Sequence, residues 1–239
     1  MKEPILITGC ARSGTSMVAG IINLCGAFGG ATSGPTRYNE KGMFENAQIR
    51  NGIVKPYLAS IGADKMGQYP LPDVENITVP KNWRRRIEDV MKKEGIPGGT
   101  PWYYKGAKMC LMWPVWHDAF PNAKWIIVRR KTPDIINSCM RTGFMAAFNR
   151  PAIQKEVGVK SAEEGWYWWV KQHEARFAEM ILEGLNVKQI WPERMVERDY
   201  RQTNEMLEWL GLEWSDKIFS FIEPKLWKAR KIMQPVNPK

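Results

Sequence analysis

The sequence predicts an α/β fold with three layers, in which a central parallel sheet lies between two layers of helices (α/β/α). Short apolar runs recur along the chain, and most are followed by residues with helical spacing rather than by a hairpin turn. The first of these runs ends in a glycine-rich turn. The 239 residues suffice for one buried core, and no linker composition divides them. We therefore expect a single domain over residues 1–239.

Two kinds of segment make up the predicted order. The strand candidates are apolar or β-branched runs, at residues 4–8, 102–105, 123–130 and 187–191. The helix candidates carry apolar residues three or four positions apart. Three of them start at Thr15, near Asn46 and near Pro133. Four others cover residues 82–93, 113–120, 162–182 and 204–212. Gly26 and Gly211 are predicted helix ends. Residues 27–42 and 62–82 have loop compositions.

Charge and composition narrow the function classes. The chain has 35 Lys and Arg against 25 Asp and Glu, a formal net charge of +10, which favours an anionic ligand. No apolar run approaches the roughly 20 residues of a membrane-spanning helix. The N-terminus lacks the features of a signal peptide, so we expect a cytoplasmic protein.

Cysteine and histidine usage argues against a metal site. The four cysteines form no C-x-x-C pair, and we expect them to be reduced. Only His117 and His173 provide imidazoles, so the sequence predicts no metal ligands and a metal-free mechanism.

Residues 5–16 read ILITGCARSGTS and nearly match the phosphate-binding loop G-x-x-x-x-G-K-[ST]. Gly9, Gly14 and Ser16 have the required spacing, but Thr15 occupies the lysine position. A glycine turn between a strand and a helix directs backbone N–H groups and the helix dipole at one anion. Without the lysine that reaches the β- and γ-phosphates, a triphosphate is disfavoured. Arg12 is the cation that remains in this predicted P-loop.

A second phosphate site is predicted after the strand in AKWIIVRRKTPDIINS. Arg129 and Arg130 end the strand, and Asp134 and Ser138 lie one turn apart on the following helix. An arginine fork and a serine hydroxyl suit a phosphate. Because ligands of open α/β sheets bind at the carboxyl ends of the strands, both sites should share one edge.

Together the two motifs resemble those of the P-loop sulfotransferases. CARSGTS resembles their 5′-phosphosulfate loop, with Arg12 at the position of the catalytic Lys or Arg. In VRRKTPDIINS, Arg130 and Ser138 match the family's 3′-phosphate motif. Weaker similarities are NEKGMFEN (residues 39–46) to an N-x-x-G-x-x-E segment, KGAK (105–108) to K-D-P-R, and NEMLEWLGL (204–212) to a late F-L-G-L helix.

The resemblance implies a donor, a reaction and residue roles. The donor is 3′-phosphoadenosine 5′-phosphosulfate (PAPS), which leaves as 3′,5′-adenosine bisphosphate (PAP) after in-line transfer to a hydroxyl of a small molecule or carbohydrate. Arg12 and Lys105 are the implied catalytic cations, and Glu45 is the implied base, with Glu40 second. Phenol-type members have a histidine where this chain has the KGAK segment, and we expect His117 to be structural. The implied donor-binding residues are Arg12, Ser13, Gly14, Thr15, Ser16, Arg130 and Ser138.

Three alternatives remain open from the sequence. A P-loop kinase requires a carboxylate for Mg²⁺, whereas the 123–130 strand ends in arginine. A nucleic-acid-binding module requires basic and aromatic residues on one surface, whereas most of the 12 tryptophans have core spacing. A degenerate sulfotransferase would bind the donor without turnover. The sequence leaves the acceptor and the oligomeric state undetermined.

Overall fold

The computed structural model describes residues 1–227, and its centre is a sheet of four parallel strands. The strands are β1 (Ile5–Gly9), β2 (Tyr103–Lys105), β3 (Lys124–Val128) and β4 (Val187–Ile190). Their order is β2-β1-β3-β4. The first strand therefore lies inside the sheet, where segments following both of its neighbours can reach the loop at its end.

Helices cover both faces of this sheet, as predicted. The α-helices are α1 (Thr15–Leu24), α2 (Ala47–Ile49), α3 (Lys55–Ser60), α4 (Trp83–Lys93), α5 (Trp113–Ala119), α6 (Thr132–Met140), α7 (Pro151–Val157), α8 (Ala162–Leu182), α9 (Pro192–Val196), α10 (Arg201–Leu210) and α11 (Lys217–Phe221). A π-helical turn, Arg50–Val54, joins α2 to α3. Short 3₁₀ segments are Val74–Asn76, Ala107–Met112, Ala147–Asn149 and Pro224–Leu226. Each predicted strand and helix is found, with boundaries displaced by a few residues.

Successive side chains of β1 point into two different hydrophobic cores. Leu6 packs into a large core with α5 and α8, whereas Ile5 and Ile7 face a second core with α1 and α10. Successive strand residues point to opposite faces, so an uninterrupted apolar strand requires cover on both sides. The three-layer prediction is confirmed by this arrangement.

The tryptophans belong largely to the first core. Six of them are almost completely buried: Trp83, Trp102, Trp116, Trp125, Trp166 and Trp169. Several pack edge to face, as Trp83 does on Trp116 with ring centroids 5.6 Å apart. Side chains buried in this way cannot stack on nucleic acid bases, and the prediction of core packing is confirmed for these six.

Two further predictions concern reduced cysteines and the lack of a membrane-spanning helix. All four cysteines are free, and Cys25 alone is not buried. Among residues 1–227, no helix combines the length and the apolar composition needed to cross a membrane.

Candidate active site

The loop between β1 and α1 depends on two glycines. Gly9 has φ +153°, and a Cβ atom there would lie 2.6 Å from the Val128 carbonyl oxygen of β3. Gly14 has φ +98°, and its Cβ would lie 2.9 Å from the Trp227 ring. Between them Arg12 adopts a left-handed φ of +74°, which is rare for a residue with a side chain. The loop is therefore closely packed and specifically shaped.

Among the described residues, hydrogen-bond donors without partners lie where this loop leads into α1. Within residues 1–227, the backbone N–H groups of Gly14, Thr15 and Ser16 make no hydrogen bond. The Ser13 hydroxyl is buried without a hydrogen-bond partner in the same part of the chain. Unsatisfied donors at a helix N-terminus, where the dipole is positive, form an anion cradle. The loop therefore has donors available for an anion, and its assignment to a phosphate stays a prediction.

The two predicted phosphate motifs are in direct contact. β1 and β3 are neighbours, with Gly9 in register with Val128. Arg130, just after β3, donates a hydrogen bond from Nη1 to the Arg12 carbonyl oxygen at 2.8 Å. The Arg12 side chain in turn donates from Nε to Ser138 Oγ at 3.0 Å. The loop after β1 and the strand–helix turn after β3 therefore form one continuous site.

Arg130 lies in a partly enclosed position. Its guanidinium carbon is 4.1 Å from the centroid of the Trp227 ring, the same ring that packs against Gly14. Burial lowers the pKa of Arg130, while the charge of Asp134 acts in the opposite direction. Asp134 thus supports Arg130 electrostatically and does not line the cavity described below.

The predicted arginine fork is wrong, because Arg129 faces away from the site. Its guanidinium contacts Glu174, donates to Gln189 Oε1 at 2.6 Å and lies over the Phe177 ring. Adjacent residues of an extended chain point to opposite sides, so Arg129 and Arg130 diverge. Of the two arginines, Arg130 lines the cavity together with Ser138, and Arg129 does not.

A cavity of about 700 Å³ opens at this edge of the sheet. It is lined by both phosphate motifs and by three further residues singled out in the sequence, Glu40, Glu45 and Lys105. Lys105 ends β2, and Glu45 immediately precedes Asn46, the N-cap of α2. The structure therefore brings Arg12, Lys105 and Glu45 to one cavity.

Glu45 is buried among cations. Its carboxylate oxygens lie 3.8 Å from Lys108 Nζ, 3.8 Å from Arg50 Nη1 and 3.9 Å from Lys105 Nζ. Burial alone would raise the pKa of Glu45, but the charges of Lys108, Lys105 and Arg50 outweigh it, so the pKa lies below its usual range. Burial lowers the pKa of Lys105, with Glu45 opposing the effect. Glu45 is therefore ionised at neutral pH and able to accept a proton.

Comparison with known proteins identifies the family. A sequence model described as the Sulfotransferase family matches residues 4–216. The chain belongs to this family. A search of curated protein sequences gave no match.

Solved structures of other sulfotransferases show the same fold at low sequence identity. A sulfotransferase domain from the curacin biosynthetic pathway has 12% identity and a TM-score of 0.56, covering 93% of this chain and 78% of its own. The sulfotransferase from Alicyclobacillus acidocaldarius has 16% identity, coverages of 95% and 88%, and a TM-score of 0.52. The sulfotransferase domain of the Synechococcus PCC 7002 olefin synthase has 14% identity, coverages of 99% and 91%, and a TM-score of 0.50.

His173 of this sulfotransferase was counted as an imidazole in the sequence but was not predicted to belong to the site. His173 on α8 is buried and lines the cavity, with Nδ1 2.9 Å from the Trp169 carbonyl oxygen. Because a carbonyl only accepts, Nδ1 carries the hydrogen and Nε2 is left as an acceptor. Burial lowers the pKa of His173 to about 4. Its spacing midway between Trp169 and Phe177, on the buried stripe of α8, was the available signal.

His117 lies away from the cavity, and its structural role stays a prediction. It lies on α5 with its ring tilted against Trp113, at a centroid distance of 6.3 Å, and it does not line the cavity.

Proposed function

We propose that this sulfotransferase transfers a sulfuryl group from PAPS to a hydroxyl of a small-molecule or carbohydrate acceptor, in line and without a metal. The contact between the two phosphate motifs carries the proposal. Arg12 Nε lies 3.0 Å from Ser138 Oγ, and Arg130 holds the Arg12 carbonyl. A ligand with phosphate groups at both its 3′ and 5′ positions matches two linked anion sites better than a linear triphosphate does.

The residues at each site fit the corresponding part of the donor. The free N–H groups of Gly14, Thr15 and Ser16, with the buried Ser13 hydroxyl, suit the 5′-phosphosulfate. Arg130 and Ser138 suit the 3′-phosphate. When bound, PAPS supplies a sulfuryl group already activated by attachment to a phosphate leaving group.

Three residues of the chain have separate roles in the transfer. Arg12 and Lys105 place positive charge where the leaving oxygen becomes more negative, and this charge stabilises the transition state. Glu45 accepts the proton of the acceptor hydroxyl; general-base catalysis of this kind contributes about 10²–10⁴ in rate. The lowered pKa of Glu45 keeps the carboxylate ionised but also makes it a modest base. Orientation of the acceptor next to Glu45 must therefore supply much of the rate.

Calorimetry with PAP and ATP, with and without Mg²⁺, tests the proposal. We expect PAP to bind without metal and ATP to bind about tenfold more weakly or worse, because ATP lacks the group that Arg130 and Ser138 hold. Tighter, Mg²⁺-dependent binding of ATP would instead indicate a kinase. Binding of PAP without transfer to any acceptor would indicate a degenerate member that retains only donor binding.

A further inference from the structure

The cavity carries far more positive than negative charge. Among the described residues that line it, nine are Lys or Arg and three are Glu. The cations are Arg12, Arg37, Lys41, Arg50, Lys55, Lys105, Lys108, Arg130 and Arg141, and the carboxylates are Glu40, Glu45 and Glu223. PAPS brings roughly four negative charges, about two of them on the 3′-phosphate. A cationic surplus therefore remains after the donor is counted.

Part of this surplus surrounds Glu45, in a group that we call the Glu45 cluster: Glu45, Arg50, Lys55 and Lys108. The single carboxylate lies 3.8 Å from both Arg50 and Lys108. Lys55 is close enough for the positive charges of Arg50 and Lys108 to add to burial in lowering the pKa of its ammonium. One carboxylate thus faces three cations, in addition to the catalytic candidate Lys105.

The cations of the cluster keep unused hydrogen-bonding capacity. Within residues 1–227, the ammonium groups of Lys55 and Lys108 make no hydrogen bond, although each has three donors. Glu45 Oε1 is buried without a hydrogen bond in the same region. Lys108 is only 12% exposed, and the Glu45 carboxylate 3.8 Å away is shared with Arg50 and Lys105, so a second counter-charge would reduce the cost of this buried charge.

The backbone places two of these cations together. In the π-helical turn Arg50–Val54, the Lys55 N–H donates to the Arg50 carbonyl oxygen, an i to i+5 bond. Such turns are rare and occur frequently at functional sites. Arg50, which begins the turn, and Lys55, which directly follows it, both line the cavity.

We propose that the Glu45 cluster binds an anionic group of the acceptor, a carboxylate, sulfate or phosphate, while Glu45 receives the proton of the acceptor hydroxyl. The proposal rests on the proposed function and narrows its substrate class to hydroxyl compounds that already carry negative charge. Arg50, Lys55 and Lys108 hold the charge, and Lys105 is close enough to Arg50, Lys108 and Arg12 for their charges to interact with its own.

Ligand-observed NMR titrations on the PAP-saturated protein test this assignment with matched probes. One pair is 3-hydroxybenzoate and 3-hydroxybenzamide, and the other is glucose 6-sulfate and glucose. We expect the charged member of at least one pair to bind about tenfold more tightly than its neutral twin. The double variant Lys55→Gln/Lys108→Gln removes two of the three cations, so it should remove most of this preference and leave the affinity for the neutral twin and for PAP within about threefold.

Lys155→Gln is the matched control, because it removes a charge on the exposed end of α7, outside the cavity. It should leave the preference intact. Equal binding of charged and neutral twins, no binding of either, or equal losses for both in the double variant would overturn the assignment. Failure of PAP itself to bind would instead overturn the proposed function, so the two failures are distinguishable.

Discussion

Replacing Arg130 with alanine should weaken binding of the 3′-phosphate more than it weakens binding of the rest of the donor. The guanidinium makes two kinds of contribution in the structure. Toward a 3′-phosphate it offers a charge-assisted hydrogen bond, which is worth about 1.5–3 kcal/mol. Toward the loop it donates to the Arg12 carbonyl at 2.8 Å. This bond is present with or without ligand, so its loss affects binding only through the position of the loop, for which we take about 0.5–1.5 kcal/mol, the size of an ordinary hydrogen bond. The first contribution applies only to PAP, and the second applies to any ligand of the loop.

The expected result is therefore a difference between ligands. Calorimetry should show that Arg130→Ala weakens PAP about 10- to 150-fold more than it weakens 5′-AMP, while 5′-AMP itself loses about two- to tenfold. Arg129→Ala is the matched control, since the adjacent guanidinium contacts Glu174 and faces away from the site. Equal losses for PAP and 5′-AMP, or a comparable loss in Arg129→Ala, would refute the assignment of Arg130 to the 3′-phosphate.

Three further predictions concern the base, the buried imidazole and the loop. Glu45→Gln should lower transfer from labelled PAPS about 10²–10⁴-fold with PAP affinity nearly unchanged, whereas His117→Ala should remain active; the reverse pattern would exclude Glu45 as the base. Because the pKa of His173 is about 4 when folded and 6.5 unfolded, the free energy of unfolding should fall by about 2 kcal/mol from pH 7.5 to 5, as the unfolded chain binds the extra proton. Urea unfolding at both pH values should show that the free energy of unfolding falls less in His173→Gln than in the unchanged protein. An equal fall in the two proteins would contradict burial of the neutral ring. Gly9→Ala should cost about 1–3 kcal/mol or more in unfolding free energy, because its Cβ meets backbone at 2.6 Å, whereas Gly52→Ala meets nothing within 4 Å and should cost little; equal losses would contradict the packing argument.

Periodicity and spacing were sufficient to predict the layers and the loop. A buried parallel strand has a run of apolar residues, and an amphipathic helix has apolar residues at helical spacing. β1, β3 and α8 were therefore identifiable without long-range information. The loop was identifiable because two glycines at fixed spacing serve a backbone need that no other residue serves as well. These features depend on short segments of the chain, and short segments were enough to find them.

Features that depend on distant segments were not predictable. The direction of Arg129 is decided by Glu174, 45 residues later on α8, which provides its charge partner. The location of His173 at the cavity depends on how α8 lies against α6 and the sheet. Arg50 and Lys55 share a face only because a π-helical turn replaces the α-helical spacing that a sequence pattern assumes. The first two were decided by tertiary packing, and the third by a local backbone turn that a sequence pattern does not reveal.

Arg12 is held at both of its ends by the motif that follows β3. Its carbonyl accepts from Arg130, and its guanidinium donates to Ser138. We therefore expect a change at Arg130 to alter the rest position of Arg12, and residues that share a partner in this way do not have additive energetic effects. Under the proposed function, the 3′-phosphate motif would then also support catalysis. A donor analogue without its 3′-phosphate should leave Arg12 less well ordered, which would couple recognition of the nucleotide to the transfer step.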